Sequence, residues 1–410
     1  MFTPFFMEDT MKKNILLGIT GGIAAYKAAD LTSQLIKLGY DVDIIMTKNA
    51  TEFIAPLTFE SLTKKKVYLD TFERTTDGEV KHIELAKKAD VFMIVPATAN
   101  IIAKVAHGIA DDMLTSTFLA ATCPKIIAPA MNTHMYENPI TQDNLERCRH
   151  FGMILVEPGS GRLACGDSGK GKLPSTEILL DAIEFALITN KPLAGKKVLV
   201  SAGPTQESID PVRFITNHSS GKMGYEIAKM ARLLGAEVTL LSGPVALKEP
   251  IGIKMLYFTT AQELFELVKE ILPHYDYIIK AAAVGDYRCE DIQPHKIKKQ
   301  NGQLTLTFTS NPDVLMYIGQ HRLPHQVVCG FAMETQNLIE NAAAKLSKKN
   351  CDLLVANHLL TDGAGFQTDT NAATIITPQY QKEYELMSKK ELAKIILETM
   401  LEIEKEKSLC

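Results

Sequence analysis

At 410 residues the chain exceeds what one ordinary hydrophobic core supports, so two domains are expected. With 46% hydrophobic and 22% charged residues it has the composition of a soluble globular protein, and a net charge of −4 supplies no basic field for nucleic acid or an anionic membrane. Seven cysteines, at 123, 148, 165, 289, 329, 351 and 410, follow no CxxC or metal-finger spacing, which points to reduced thiols and a cytoplasmic setting.

The opening Met1–Met7 is apolar but short, lacks a basic start and runs into Glu8 and Asp9, so it is not read as a signal peptide; no later run is suited to span a membrane. Residues 14–19 (NILLGI) read as a strand, followed by the turn Thr20-Gly21-Gly22 and a helical pattern from about 24 to 38. Gly39 stops that helix, and Tyr40–Met46 reads as the next strand. The turn places backbone N–H groups and a helix N-terminus just past the first strand, an arrangement that suits a phosphate. Its spacing is not GxGxxG, and the second strand ends in Met46-Thr47 with no acid to hold a ribose. The pattern therefore favours a phosphate monoester such as FMN over NAD, and a plain tight turn fits it equally well.

His82 shares a helical face with Leu85, Ala86 and Ala89, so it is either a partly buried core histidine or a proton-transfer group. Val91–Asn100 is an apolar strand that ends in small and polar residues, where a flat ring has room to approach the backbone. Gly108–Thr115 is a candidate second wall, and both segments also fit simple packing. After the strand-like Lys125–Ala128 comes Pro129-Ala-Met-Asn-Thr-His-Met135, which sets an amide between two thioethers. Desolvating an unpaired amide costs about 1–3 kcal/mol, so Asn132 is either a polar reader in an apolar pocket or a turn residue capping the next helix. Cys165 lies in a glycine-dense stretch, Gly161–Gly171, of the kind that closes over a site. A thiol there suggests function, because a structural cysteine usually belongs in a core.

The second half repeats the plan. Lys197–Ser201 is a strand, Gly203-Pro204-Thr205 a turn, 222–234 a helix, Gly235 its stop and Glu237–Leu241 a strand. Strand, glycine turn, helix and strand is the βαβ unit, with right-handed crossovers and a mostly parallel sheet. The boundary is expected near Thr189–Gly195, giving domains 11–190 and 191–400. In such open sheets ligands bind at the carboxyl ends of strands, so the post-strand loops are where chemistry is sought. Asp210–Gly224 resembles a phosphate loop without being a Walker A sequence; Ser219, Ser220 and Gly221 offer donors at a helix start, or ordinary caps. Lys280–Tyr287 ends another apolar strand in tiny residues and an acid, and the lysines of Lys296–Lys299 follow, either as a solvated face or as triphosphate ligands. The charged end, Glu402 to Lys407, reads as a solvated helix terminus.

In their order, the glycine turn, His82, the Pro129–Met135 motif and the Cys165 flap resemble the flavin-dependent cysteine decarboxylases, including the half of bifunctional coenzyme A biosynthesis proteins that decarboxylates phosphopantothenoylcysteine. The resemblance implies a flavodoxin-like first domain with FMN held by Gly21, Gly22, Thr47, Ala97, Thr98 and Ala99. His82 would act as a base, Asn132 would grip the substrate carboxylate beside Met131, and Cys165 would donate a proton late in the reaction.

The second half resembles the phosphopantothenate–cysteine ligase domain through Gly203–Thr205, Asn217–Gly224, Ala281–Asp286, Lys296–Lys299, Asn311-Pro312-Asp313 and Gly330-Phe331-Ala332. What this implies is activation of the pantothenate carboxyl by CTP as an acyl-cytidylate, with Mg2+ on the phosphates, then attack by the amine of cysteine. Lys296 would serve the nucleotidyl step, and Asn217 and Arg213 would position the acyl intermediate. Ala282, Ala283, Asp286, Phe331, Lys345 and Lys349 would contact nucleotide. Lys172, Gly285 and Asn357-His358 depart from the usual pattern of Arg, Ala and Asn-Asp. The whole is thus expected to be an α/β chain of two doubly wound, Rossmann-like domains with mostly parallel sheets. The family resemblance further implies a homo-oligomer, with trimers through the first domain and dimers through the second.

Overall fold

The computed structural model describes residues 12–72, 80–162, 166, 168–298, 303–333, 345–357, 365 and 367–409. The chain divides into two units, Met1–Thr189 and Asn190–Cys410. No helix among the described residues is long and apolar enough to cross a membrane.

In the first unit, β1 (Asn14–Ile19), β2 (Asp41–Met46), β3 (Val91–Ala97), β4 (Lys125–Pro129) and β5 (Ile154–Leu155) form one sheet in the order β2-β1-β3-β4-β5. Every neighbouring pair is parallel. This is the flavodoxin-like order, whose switch point lies between β1 and β3. The connecting helices are α1 (Ala25–Lys37), α2 (Lys48–Thr51), α3 (Pro56–Thr63), α4 (Lys81–Lys88), α5 (Ala99–His107), α6 (Met113–Ala120), α7 (Thr133–Glu137), α8 (Pro139–His150) and α9 (Thr176–Leu187). Strand residues alternate between two cores, with Ile15, Leu17 and Ile19 on one face and Leu16 on the other. The first core takes Leu31 and Leu35 of α1, Phe59 of α3 and Ile183 of α9. The second takes Leu85 of α4, Ile102 of α5, Phe118 of α6 and Leu145 of α8. Because helices cover both faces, β1 and β3 are buried along their whole length, which is why they read as unbroken apolar runs. A hairpin of β6 (Gly159–Arg162) and β7 (Ser168–Lys172) stands apart from the sheet.

The second unit builds an eight-stranded sheet in the order β12-β11-β8-β13-β16-β17-β18-β19. Its strands are β8 (Lys197–Ala202), β11 (Glu237–Ser242), β12 (Lys254–Tyr257), β13 (Tyr277–Lys280), β16 (Val327–Met333), β17 (Leu353–Asn357), β18 (Thr370–Ile376) and β19 (Gln381–Ser388). The first six are parallel in the dinucleotide-fold order 3-2-1-4-5-6, and β18 and β19 extend the edge antiparallel. Two small hairpins, β9 (Gln206–Ser208) with β10 (Phe214–Thr216) and β14 (Tyr287–Cys289) with β15 (Phe308–Ser310), hang from the strand-end loops. Helices α11 (Ala261–Ile271) and α12 (Val314–His321) supply Leu264, Val268, Leu315 and Ile318 to one core. Helices α10 (Lys222–Leu233) and α13 (Lys389–Leu409) pack on each other, and α10 also packs on β8 and β11.

The charged end of α13 is only in part a solvated terminus: Glu402, Lys405 and Glu406 are exposed, but Glu404 and Lys407 are not free in solvent. Glu404 accepts from Lys196 Nζ and from the Tyr277 hydroxyl, each at 2.6 Å, and Lys407 Nζ lies 2.8 Å from Asp352 Oδ1. These pairs fasten the last helix to the amino-terminal side of the sheet, a tertiary role that a run of alternating charges does not reveal.

At the amino-terminal ends of β1 and β2, Asp43 is only 3% exposed and accepts from Lys88 Nζ (2.7 Å), Lys65 Nζ (2.9 Å) and Asn14 Nδ2 (2.7 Å). Burial opposes its ionisation, but the two lysines and Asn14 outweigh that and hold its carboxyl below the usual range. In neighbouring Asp41 the same contest ends with Lys65 and Lys88 holding the pKa at about 2. Carboxyls depressed in the folded state stabilise it above their unfolded value, roughly pH 4, and lose that contribution as pH falls through the folded value. Asp43→Ala is expected to cost about 2–3 kcal/mol of unfolding free energy, the low end for breaking a buried pair because Lys88 is partly solvated. The variant should also show a smaller loss of stability on acidification below about pH 4. Urea unfolding at neutral and acid pH measures both; an unchanged midpoint at neutral pH contradicts the assignment.

Candidate functional site

The first unit places three helix starts at the carboxyl ends of β1, β2 and β3. Helix α1 begins after Thr20–Ala24 with no side chain capping it, so backbone N–H groups at its positive end are not taken by a side-chain oxygen. Thr47 caps α2 by accepting from Ala50 N at 3.3 Å. Thr98 caps α5 by accepting from Ile101 N at 3.4 Å. Thr20 ties the first and third ends together: its hydroxyl donates to Pro96 O at 2.6 Å and accepts from Thr98 N at 3.2 Å. Gly21, Gly22, Thr47, Thr98 and Ala99 therefore meet along the β1/β3 switch point, while Ala97 is buried beneath them as the last residue of β3.

Asn132 does cap a helix, accepting from His134 N at 2.9 Å at the start of α7. It also lies beneath the hairpin. Met131 N donates to Gly171 O at 3.0 Å, which fixes β7 on the Asn132 loop. Gly171 has φ +134°, and a side chain there would collide with Met131 O. At Gly169 an added Cβ would sit 2.6 Å from Thr133 Cγ2. Two of the glycines that mark a flap in the sequence, Gly169 and Gly171, are thus needed for close approach to the Asn132 loop. Cys165, which lies between β6 and β7 in sequence, falls outside the described residues. His82, on α4, is half-buried, and its buried Nδ1 has no hydrogen-bond partner among the described residues.

In the second unit the loops after β8 and β13 interlock. Ala283 N donates to Gly203 O at 2.9 Å, Thr205 N to Ala283 O at 3.2 Å, and Gly285 N to Thr205 Oγ1 at 2.9 Å. They frame a cavity of about 520 Å³. Asn217 lines it and donates to Ala283 O at 3.0 Å. Ala282, Ala283, Asp286, Phe331 and Lys345 also line it, together with Ser219, Ser220 and Gly221 before α10. Gly221 is the N-cap, with φ +78° and no side-chain cap, so the serines do not cap α10 in the ordinary way.

Three residues expected at this site stand apart from the lining. Arg213 donates from Nε to Asp210 Oδ2 at 2.9 Å and from its guanidinium to Ile297 O at 2.9 Å. The guanidinium, with backbone N–H groups, holds the Asp210 carboxyl well below the usual range. Lys296 is exposed on the segment this clamp secures, and Lys299 lies outside the described residues. Lys349 pairs with Asp313, which caps α12.

Lys280, Lys389 and Asn371 line the cavity without having been named as site residues from the sequence, and Asn357, noted there only as a departure from the usual pattern, lines it too. Lys280 had a signal, a cation closing the apolar strand Tyr277-Ile278-Ile279-Lys280. Burial, then the nearby Lys345, lowers its pKa to about 8, and its Nζ donates to Ala282 O at 2.7 Å. Asn371 donates to Asn357 Oδ1 at 2.9 Å across β17 and β18. Nothing local marks Asn371 or Lys389, because they reach the cavity only through the antiparallel edge and α13.

Comparison with known proteins agrees with this division. A model of the flavoprotein family matches residues 7–187, and one of the DNA/pantothenate metabolism flavoprotein C-terminal domain matches residues 193–403. The coenzyme A biosynthesis bifunctional protein CoaBC of Bacillus subtilis (strain 168) is 45% identical over 398 residues, 96% of this chain and 98% of its own. The crystal structure of the C-terminal domain of a CoaBC protein is 38% identical, covers 53% of this chain and 100% of that one, and has a TM-score of 0.46. The FMN-dependent cysteine decarboxylase SpaF is 35% identical, covers 43% of this chain and 95% of its own, and has a TM-score of 0.38.

The hairpin contact yields a direct test. Gly171→Ala forces a side chain into Met131 O at a positive φ, and is expected to cost about 2 kcal/mol or more of stability in the first unit. Faster proteolysis within 159–172 should accompany it, and a variant with unaltered stability and cleavage would contradict the close packing.

Proposed function

The chain belongs to the family of coenzyme A biosynthesis bifunctional proteins, and on that premise we propose that its second unit joins phosphopantothenate to cysteine and its first decarboxylates the product. The observation that carries this reading is the pairing, in one chain, of a flavodoxin-order switch point with a cation-lined cavity of about 520 Å³ at the switch point of a second sheet.

In the first unit the residues fit FMN. The uncapped start of α1 offers backbone N–H groups to a phosphate, while Gly21, Gly22, Thr47 and the Ala97–Ala99 turn surround the place where a flat ring would lie. Bound FMN supplies the two-electron oxidation of the substrate thiol without which a cysteinyl carboxylate has no electron sink for loss of carbon dioxide. The chain's own residues orient and protonate. Asn132, fixed by its cap on α7 and by the hairpin, grips the carboxylate beside Met131. His82 offers an imidazole nitrogen that has no other partner among the described residues. Cys165 returns a proton from the flap.

In the second unit, a carboxylate is a poor electrophile until a nucleotidyl group is attached. CTP supplies that group, with Mg2+ as counter-ion of its phosphates. Asn217, the Ala282-Ala283 turn, Asp286, Phe331 and Lys345 line the cavity that would receive it. Lys296 and Lys349 would reach it from its surroundings, and Arg213 acts by holding the Lys296 segment. The chain is further read as a cytoplasmic homo-oligomer, trimeric through the first unit and dimeric through the second. The free thiols of Cys123, Cys148, Cys289, Cys329 and Cys351 suit a reducing setting. Exposed Ile23, Tyr26 and Leu57 in the first unit, and Val212, Phe214 and Tyr287 in the second, are apolar faces such contacts would cover.

Two variants separate the reactions. Lys296→Gln is expected to abolish pyrophosphate release while sparing decarboxylation of added phosphopantothenoylcysteine. Asn132→Ala should keep flavin colour, release pyrophosphate and accumulate phosphopantothenoylcysteine. Normal turnover by either variant removes the role given to that residue.

A further inference from the structure

Helices α10 and α13 pack together, and each begins with a lysine that lines the second unit's cavity. The two lysines differ in their partners. Lys222 Nζ forms an ion pair with Asp369 Oδ1 at 2.7 Å and donates to Gln367 O at 2.6 Å. Lys389 is only 4% exposed, and its Nζ donates to the carbonyl oxygens of Gly365, at 2.9 Å, and Thr368. Among the described residues no carboxylate stands within ion-pair distance of Lys389. Asp369 on the preceding loop and Glu226 on α10 act on it only at longer range, and Lys222 repels it.

A buried ammonium held by neutral carbonyls alone is costly, by several kcal/mol before hydrogen bonding is counted. An arriving anion would offset that cost. We propose that Lys389 is a ligand-binding residue of this cavity, its ammonium pairing with a phosphate oxyanion of a bound substrate. The inference rests on the ligase reading and adds to it a residue outside the motifs that carry that reading. Both CTP and phosphopantothenate bear such an oxyanion, and the test separates them.

The electrostatics supply a signature. Burial, then Lys222, lowers the pKa of Lys389 to about 8 in the ligand-free chain. An arriving phosphate raises it again, so binding takes up protons. As far as Lys389 is concerned, affinity changes little between the phosphate's own second ionisation, at roughly pH 6, and about pH 8, and falls as pH rises above that. Lys280, whose pKa is also lowered to about 8, lines the same cavity, so the signature is assigned by comparing variants and not from the wild-type profile alone.

The experiment is calorimetric titration of the full chain with CTP and, separately, with phosphopantothenate, near pH 7 and pH 9. Wild type, Lys389→Met and Lys389→Arg are compared. Lys389→Met is expected to weaken one of the two compounds by about tenfold or more at pH 7 and to leave the other within about threefold, which names the source of the phosphate. The wild type should lose more affinity for that compound between pH 7 and pH 9 than Lys389→Met does. Lys389→Arg should restore binding at pH 7 and resist the loss at pH 9, because a guanidinium does not titrate there. Unchanged affinities in Lys389→Met, or the same pH loss in it as in wild type, would overturn the proposal. So would a comparable loss for both compounds that arginine fails to rescue, the mark of a purely structural lysine. A wild-type chain that binds neither compound contradicts the ligase reading itself, and this inference with it.

Discussion

A parallel sheet covered by helices on both faces leaves polar chemistry one principal outlet, the edge where the strands' carboxyl ends stop and helices begin. In the first unit β1 and β3 are buried throughout, so the hydroxyls of Thr20, Thr47 and Thr98 and the uncapped start of α1 are displaced to that edge. In the second unit the same constraint collects Asn217, Lys280, Asp286 and Asn357 at the ends of β8, β13 and β17. Both sites exist because interior burial forbids these groups elsewhere.

The two outlets differ in charge, and the difference fits their chemistry. The first gathers neutral hydroxyls and amides around an uncapped helix start, enough for one phosphate monoester and a flat ring. The second gathers Lys222, Lys280, Lys345 and Lys389 around about 520 Å³ of space. Burial first, and then the repulsion of a neighbouring lysine, lowers the pKa values of Lys280 and Lys389. That cost is offset when a polyanion binds, so the site is tuned for a highly charged substrate and not for a neutral one.

Much of the fold was legible in the sequence because local pattern and tertiary role coincide. The run at 14–19 is a strand on both counts, and the glycine stops at Gly39 and Gly235 mark real chain reversals with positive φ. The first-half site was also legible in part, since loops after successive strands must meet at a switch point. What could not be read depends on contacts distant in sequence. The alternating charges near the C-terminus look solvated, yet Glu404 meets Lys196 and Tyr277 across more than a hundred residues. Lys389 follows an edge strand with no motif around it, and only the antiparallel turn-back of β18 and β19 brings it to the cavity. Arg213, expected to bind or position the acyl intermediate, pairs with the nearby Asp210, a local contact that a motif match does not reveal.

The central claim is that one chain carries out two consecutive reactions at the carboxyl ends of two sheets. Its most direct test is product mass spectrometry of the purified wild-type chain incubated with phosphopantothenate, cysteine, magnesium and CTP. Phosphopantetheine, formed with pyrophosphate and carbon dioxide, is the predicted product. A reaction that stops at phosphopantothenoylcysteine, or yields neither compound, would contradict the account.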